Sequence, residues 1–201
     1  MLDRLPFKEI WVVDTEFRRL PGDLPDPVCC LVAHELRSGR VVKQWTAAGG
    51  TVPYDVGPSS LFVAHYSIAE WVSHLSLGWP LPVQVIDTYA ETRALRNGLP
   101  DGKSGLLVAA ARYGISTISA GEKDAGRHLA MRGGPWTHTE QTQLLEYCES
   151  DVITNQELFI RMLPEILAPD LGQVHACGGS HGTMRDTYRC RSPWPPRAKL
   201  A

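Results

Sequence analysis

The chain has no long hydrophobic run. Nowhere in its 201 residues do apolar side chains continue for the roughly 18–20 positions that a membrane-spanning helix needs, so no membrane partner is expected. It also lacks an excess of positive charge. Lys and Arg number 20 against 22 Asp and Glu, a formal net charge of −2, which excludes a uniformly basic nucleic-acid binder but leaves a local basic groove open. Cysteine is scarce and unpatterned. The five residues Cys29, Cys30, Cys148, Cys177 and Cys190 are an odd number without a CxxC pair, which speaks for reduced thiols rather than a disulfide framework. The opening Met1-Leu2-Asp3-Arg4-Leu5-Pro6 has no apolar signal-peptide core, so a cytoplasmic location is the expectation. What remains, 43% apolar and 21% charged residues, is the composition of one ordinary globular core.

One stretch stands out against this background: Trp11-Val12-Val13-Asp14-Thr15-Glu16-Phe17. Its β-branched residues favour a strand, and side chains alternate faces along a strand, so Asp14 and Glu16 share one side while Thr15 takes the other. Two carboxylates side by side repel unless one keeps a proton or a cation lies between them, and hard divalent ions take oxygen ligands of this kind. A strand end running into a solvated loop is the plainer alternative for this pair alone.

The rest of the first half continues as β structure. Val28 to His34 and Arg40 to Trp45, separated by Arg37-Ser38-Gly39, complete a predicted three-stranded antiparallel meander over residues 9 to 46. A Gly/Pro-rich link from Gly49 to Ser60 leads to a short buried strand at Leu61 to His65. Residues 67 to 75 follow, where Ile68, Trp71, Val72 and Leu75 recur at helical spacing and predict an amphipathic helix. Val83 to Asp87 reads as another strand, and Thr88 as the cap of a helix reaching about Arg96.

From Gly105 onward only helices are predicted: Leu106 to Tyr113, about Glu122 to Met131, and Thr137 to about Leu163. Thr137-His138-Thr139-Glu140 has the capping-box pattern, and Leu144, Leu145, Val152, Leu158, Phe159 and Met162 give the long helix an apolar stripe. The order of elements predicts an α/β fold with a mixed sheet. Residues 1–171 form one expected domain. Residues 172–201 carry five basic residues against Asp186 with little periodicity, and are expected to form a disordered basic tail. His175, Cys177, His181 and Cys190 lie there at a spacing that matches none of the common zinc frames.

The long helix holds a second cluster, Tyr147-Cys148-Glu149-Ser150-Asp151, in which Tyr147 and Asp151 at i and i+4 share a face that Glu149 does not. Glu70 is a further helix carboxylate, directly after a buried strand. Asp14, Glu16, Glu70 and Asp151 with Tyr147, taken together, resemble the tyrosine subclass of the DEDD superfamily of 3′–5′ exonucleases, most closely the proofreading exonuclease domain of family A, DNA polymerase I-like enzymes. The likeness rests on Val-Val-Asp14-Thr-Glu16-Phe, Val-Ala-His65-Tyr66-Ser-Ile-Ala-Glu70 and Tyr147-Cys-Glu-Ser-Asp151. Ile86-Asp87-Thr88 and Arg132-Gly133-Gly134-Pro135-Trp136 add to it, over about residues 8 to 167. The histidine subclass would place a histidine where Glu146 stands.

The resemblance implies an RNase H-like fold and hydrolysis of single-stranded 3′ ends to nucleoside 5′-monophosphates. It further implies two divalent cations, Mg²⁺ or Mn²⁺, with Asp14 bridging both, Glu16 and Asp151 on the first, Glu70 serving the second, and Tyr147 orienting the attacking water. DNA is the favoured strand, in replication or repair, with a polymerase domain or subunit as a partner although none follows in the chain. Phe17, Leu20 and Tyr66 stand beside the carboxylates as substrate contacts, with Arg18 and Arg19 toward phosphates. Two features depart from the family pattern: Glu70 replaces the usual aspartate, and His65-Tyr66 replaces a His-Asn pair, with Asp87 the alternative to Glu70. An RNase D-like RNA exonuclease and a catalytically weakened nucleic-acid-binding domain are the competing readings.

Overall fold

The computed structural model describes residues 1–18, 20, 27–46, 50–96, 104–117 and 120–168. The expected tail at 172–201 with its candidate zinc residues, and Arg19, lie outside them. Five strands, β1 (Glu9–Phe17), β2 (Val28–Glu35), β3 (Val41–Trp45), β4 (Ser60–Ala64) and β5 (Val85–Asp87), form one mixed sheet in the order β3-β2-β1-β4-β5. β1 to β3 are the antiparallel meander predicted above, and β4 and β5 run parallel to β1. Helices α1 (Ile68–Ser76), α2 (Thr88–Leu95), α3 (Leu106–Arg112), α4 (Ala120–Arg132) and α5 (His138–Ile166) complete the α/β, RNase H-like architecture. No helix among the described residues is long and apolar enough to cross a membrane.

β1 is central and covered on both faces, which is why Ile10 to Val13 read as an unbroken apolar run. Ile10 and Val12, with Cys30, Val32, Leu61 and Val63, pack on Leu144, Cys148, Val152 and Phe159 of α5. Trp11 and Val13 face the other side, against Tyr54, Phe62 and Trp79. The same alternation sends Asp14 toward α5 and Thr15 toward α1. Of the stripe predicted on α5, Leu144, Val152, Leu158, Phe159 and Met162 are buried and Leu145 is half-buried.

Helix α1 forms where its spacing predicts, but with the opposite face inward. Ile68, Val72 and Leu75 are 51%, 41% and 66% exposed, Trp71 is half-buried, and the covered residues are Glu70, Ser73 and His74. Partners facing α1 make this tolerable: Thr15 Oγ1 of β1 lies 2.9 Å from Ser73 Oγ, and the hydroxyl of Tyr54, in the link between β3 and β4, lies 2.7 Å from His74 Nε2. His74 Nδ1 lies 2.7 Å from the Pro80 carbonyl, so it donates there while Nε2 accepts from Tyr54. Burial holds the imidazole below its ordinary pKa, and this neutral arrangement satisfies it.

The start of α2 also differs from expectation. Its cap is Asp87, which accepts from the N–H groups of Tyr89 and Ala90, whereas Thr88 is the first helical residue and donates to Asn155 Oδ1 of α5 at 2.6 Å. A carboxylate in an extended conformation outcompetes the shorter hydroxyl beside it. At the head of α5 the capping box of Thr137 and Glu140 is present, with Arg132 Nη1 2.7 Å from Glu140.

Thr137→Ala is expected to cost about 1 kcal/mol of stability in denaturant unfolding, since α5 carries one wall of the core. The Arg132 hydrogen bond, followed by the Thr137 backbone, lowers the Glu140 pKa from 4.5 to about 2. Its contribution is therefore present above the ordinary carboxylate range and lost as pH falls toward 2. Glu140→Gln should flatten the stability profile between those limits; an unchanged slope contradicts this.

Candidate active site

The acidic cluster forms at the end of β1. The β1–β2 register shifts between Glu16 and Phe17, so that Phe17 faces Val28 and Cys29 is passed over. Such an irregularity bends the strand where it leaves the sheet. Asp14 and Glu16 are half-buried and face α5, where Asp14, Glu16 and Cys148 bring ligand atoms within 4.8 Å of one another. Asp151 follows Cys148 by three residues, Tyr147 by four, and is 8% exposed.

Tyr147 ties the two halves together. Burial raises its pKa most, and the negative charges of Glu16, Asp151 and Asp14 raise it further against the opposing Arg127 of α4. In the metal-free site the phenol is therefore a proton donor rather than a base. Its ring rests on α4 at Gly126, where a Cβ would overlap the aromatic carbons.

Glu70 approaches from α1. It is 3% exposed, and its pKa is raised well above the usual carboxylate range, first by burial and then by the charge of Asp14. Backbone N–H groups of Glu70 and Thr15 favour its charge, yet Oε2 is buried without a hydrogen-bond partner. A buried, orphaned carboxylate oxygen beside a second carboxylate suits a hard divalent cation, and the carboxylates of Asp14, Glu16 and Glu70 are oxygen donors of the kind such an ion takes. The Cys148 thiol is not a ligand in this arrangement. Burial, together with Cys30 and Asp14, holds Cys148 protonated, with Sγ 3.3 Å from Asp14 Oδ2, so it steadies that carboxylate as a weak donor.

Asp87, the alternative to Glu70, is occupied elsewhere. Its oxygens accept from Tyr66 N, Ser67 N, Ser67 Oγ, Tyr89 N and Ala90 N. His65 is likewise structural, with Nδ1 2.9 Å from Thr88 Oγ1 and Nε2 3.0 Å from the Ser104 carbonyl. Among the proposed substrate contacts, Phe17 and Leu20 are half-buried and Tyr66 is 52% exposed. Arg18 is exposed and lies across Gly133, where a Cβ would fall 2.5 Å from its Cδ. Cys148 escaped the reading of the motif although its spacing to Asp151 was a usable signal, since i and i+3 adjoin on a helix. Gly126 and the Tyr54–His74 pair left no such signal.

No protein-family model matches the chain, and no curated protein matches it. Solved structures share its fold. One is a nuclease in its apo form, at 19% identity and a TM-score of 0.58, covering 83% of this chain and 77% of that one. Another is Escherichia coli RNase D, an exoribonuclease involved in structured RNA processing, at 15% identity and a TM-score of 0.50, covering 83% of this chain and 42% of that one.

In metal-free protein, the raised pKa of Glu70 means that its contribution is complete below the ordinary carboxylate range and is lost as pH rises through the folded-state value. Glu70→Gln should therefore be about 1–3 kcal/mol more stable than the parent at pH 8 in EDTA, with the advantage shrinking toward pH 5. Thermal melts across that range check this. Equal destabilisation at both pH values would mean that the carboxylate is already fully compensated.

Proposed function

We propose that this chain is a metal-dependent 3′–5′ exonuclease that cuts single-stranded nucleic acid from its 3′ end into nucleoside 5′-monophosphates. The observation that carries the proposal is the convergence at the end of β1: Asp14 and Glu16 with Cys148 within 4.8 Å, and Tyr147 in the field of Asp14, Glu16 and Asp151. The fold shared with nucleases, one of them an exoribonuclease, supports it. So does the order of the four carboxylates in the sequence, which is that of the tyrosine subclass.

Asp14, Glu16, Asp151 and Glu70 would hold two divalent cations, Mg²⁺ or Mn²⁺, which when bound acidify a water and neutralise charge on the departing oxygen. The chain's own contributions follow from its geometry. Asp14, braced by the Cys148 thiol, presents its carboxylate in one orientation. Tyr147, kept protonated, donates a hydrogen bond that aligns the attacking water or the scissile phosphate. Glu70 on α1 and Asp151 on α5 approach from different elements, so closure of the site depends on both helices being seated. Phe17 and Leu20 line the approach and contact the terminal nucleotides, Tyr66 stands further along it as a substrate contact, and Arg18 offers a cation to a phosphate.

DNA is the substrate we favour, in a proofreading or repair role with a polymerase domain or subunit as partner, because the motifs are most like those of the family A enzymes. The fold shared with RNase D supports an RNA reading instead. Cytoplasmic location belongs to the same proposal, with Cys29, Cys30 and Cys148 free of disulfides.

A 5′-labelled single strand incubated with Mn²⁺ should shorten stepwise from its 3′ end and release mononucleotides. Asp14→Ala and Asp151→Ala should each lower the rate by about 10³-fold or more, and Tyr147→Phe by about 10²-fold, as loss of positioned groups does. Degradation that survives in both aspartate variants places the activity elsewhere. Matched DNA and RNA strands decide between the two substrates.

A further inference from the structure

One residue beside the site is strained without structural return. Among the described residues, Tyr66 is the single non-glycine with positive φ, at +73°. That conformation suits glycine or asparagine and disfavours an aromatic side chain. Packing does not offset the strain, since the side chain is half exposed. The bonds that fix the turn, from Tyr66 N at 2.9 Å and Ser67 N at 3.0 Å to Asp87, are backbone bonds that any residue here would make. Strained residues cluster at active sites and ligand clamps, which directs attention to what the Tyr66 side chain could bind.

The ring does not stand alone. Asp87 also caps α2, so it clamps the turn after β4 to the first residues of that helix and sets Tyr66 against Tyr89, edge to face at 5.3 Å. Tyr89 is half-buried and packs on His65 at 5.7 Å. Exposed Arg93 places its guanidinium 5.8 Å from the Tyr89 ring centre and donates Nη1–H to the Tyr89 hydroxyl at 3.3 Å.

The group stands at the same end of the sheet as the carboxylates. Val63 of β4 pairs with Val12, two residues before Asp14, and Ala64 pairs with Asp87 of β5. Successive strands are about 5 Å apart, so the turn that carries Tyr66 leaves the strand next to β1 and the start of α2 leaves the strand after it, roughly 10 Å across the sheet from β1. Tyr66 precedes Glu70 by four residues, so one turn of chain links the ring to the carboxylate.

We propose that Tyr66, Tyr89 and Arg93 form a second subsite of the nuclease centre, which stacks a base of the single strand and meets its phosphate upstream of the bond to be cut. The subsite rests on the exonuclease reading above. Aromatic faces stack any base, and a guanidinium beside them serves the backbone, so the subsite is indifferent to sequence. Bases already stacked in a duplex do not offer their faces to it. The chemistry recognised is thus an unpaired strand of at least two nucleotides.

The test is binding of a 5′-fluorescein-labelled single-stranded decathymidylate in EDTA, read by anisotropy, with thermal melts on the same samples. Tyr89→Ala should weaken binding about tenfold, the loss typical of one stacking contact. Arg93→Ala should weaken it and reduce the salt slope by about one ion. Tyr66→Asn is the discriminating variant: it should melt at or above the parent temperature, because asparagine tolerates the turn, and still bind the strand about tenfold less well. Affinity unchanged in Tyr66→Asn and Tyr89→Ala overturns the subsite. Hydrolysis of the p-nitrophenyl ester of thymidine 5′-monophosphate by the unaltered protein with Mn²⁺ reports the catalytic centre separately, because one nucleotide does not span both places. Ester cleavage with unaltered strand affinity in the variants sinks the subsite and leaves the exonuclease reading standing. Absent cleavage with lost affinity leaves a single-strand binding place at Tyr66 and Tyr89 but sinks the exonuclease reading, and with it the assignment of that place to a nuclease centre.

Discussion

Like charges brought together out of water are what the rest of this molecule is arranged around. Asp14 at the end of β1 is close enough to Glu70 on α1 for its charge to oppose ionisation of that carboxyl, and Glu70 is buried. Such a pair is costly in a fold that has no use for it, because each buried charge must be repaid by hydrogen bonds or a counterion. Here one Glu70 oxygen has no hydrogen-bond partner. The thiol of Cys148 and the phenol of Tyr147, both held protonated, stand beside the acidic cluster as donors, and the proposed cations would complete it.

That requirement accounts for the inverted helix α1. A helix that docks its apolar stripe would carry Glu70 to the surface and away from β1. By docking Glu70, Ser73 and His74 instead, α1 brings the carboxylate to the strand end, and the Thr15, Tyr54 and Pro80 contacts satisfy the remaining polar groups. Ile68, Val72 and Leu75 are left facing outward as the consequence. Asp87 and Thr88 fasten the arrangement from the far side, the first to the turn that starts α1, the second to Asn155 on α5. Both helices that supply carboxylates are therefore referenced to the same two strand ends.

Much of the frame could be read in the residues. The strand ending in Asp14 and Glu16, the antiparallel meander, the capping box at Thr137 and the shared face of Tyr147 and Asp151 all follow from local rules of period and capping. The orientation of α1 did not follow from them, because helical spacing identifies a stripe and says nothing of which side meets the sheet; the long-range partners Thr15 and Tyr54 decide that. Asp87 was the less favoured alternative to Glu70 in the sequence, and its five hydrogen bonds show what occupies it; its capping role was misassigned to Thr88 because the two compete at adjacent positions. The strained turn at Tyr66 and its pairing with Tyr89 are products of tertiary contact and have no signature in the sequence.

The central claim is that Asp14, Glu16, Glu70 and Asp151 hold two divalent cations in one site. Electron paramagnetic resonance during a Mn²⁺ titration measures this directly. The account predicts that up to two equivalents lose the free-ion signal and give a spin-coupled pair, and that Asp14→Ala abolishes the coupling. A free-ion signal that grows in proportion to added Mn²⁺ from the first equivalent, in the unaltered protein, would contradict it.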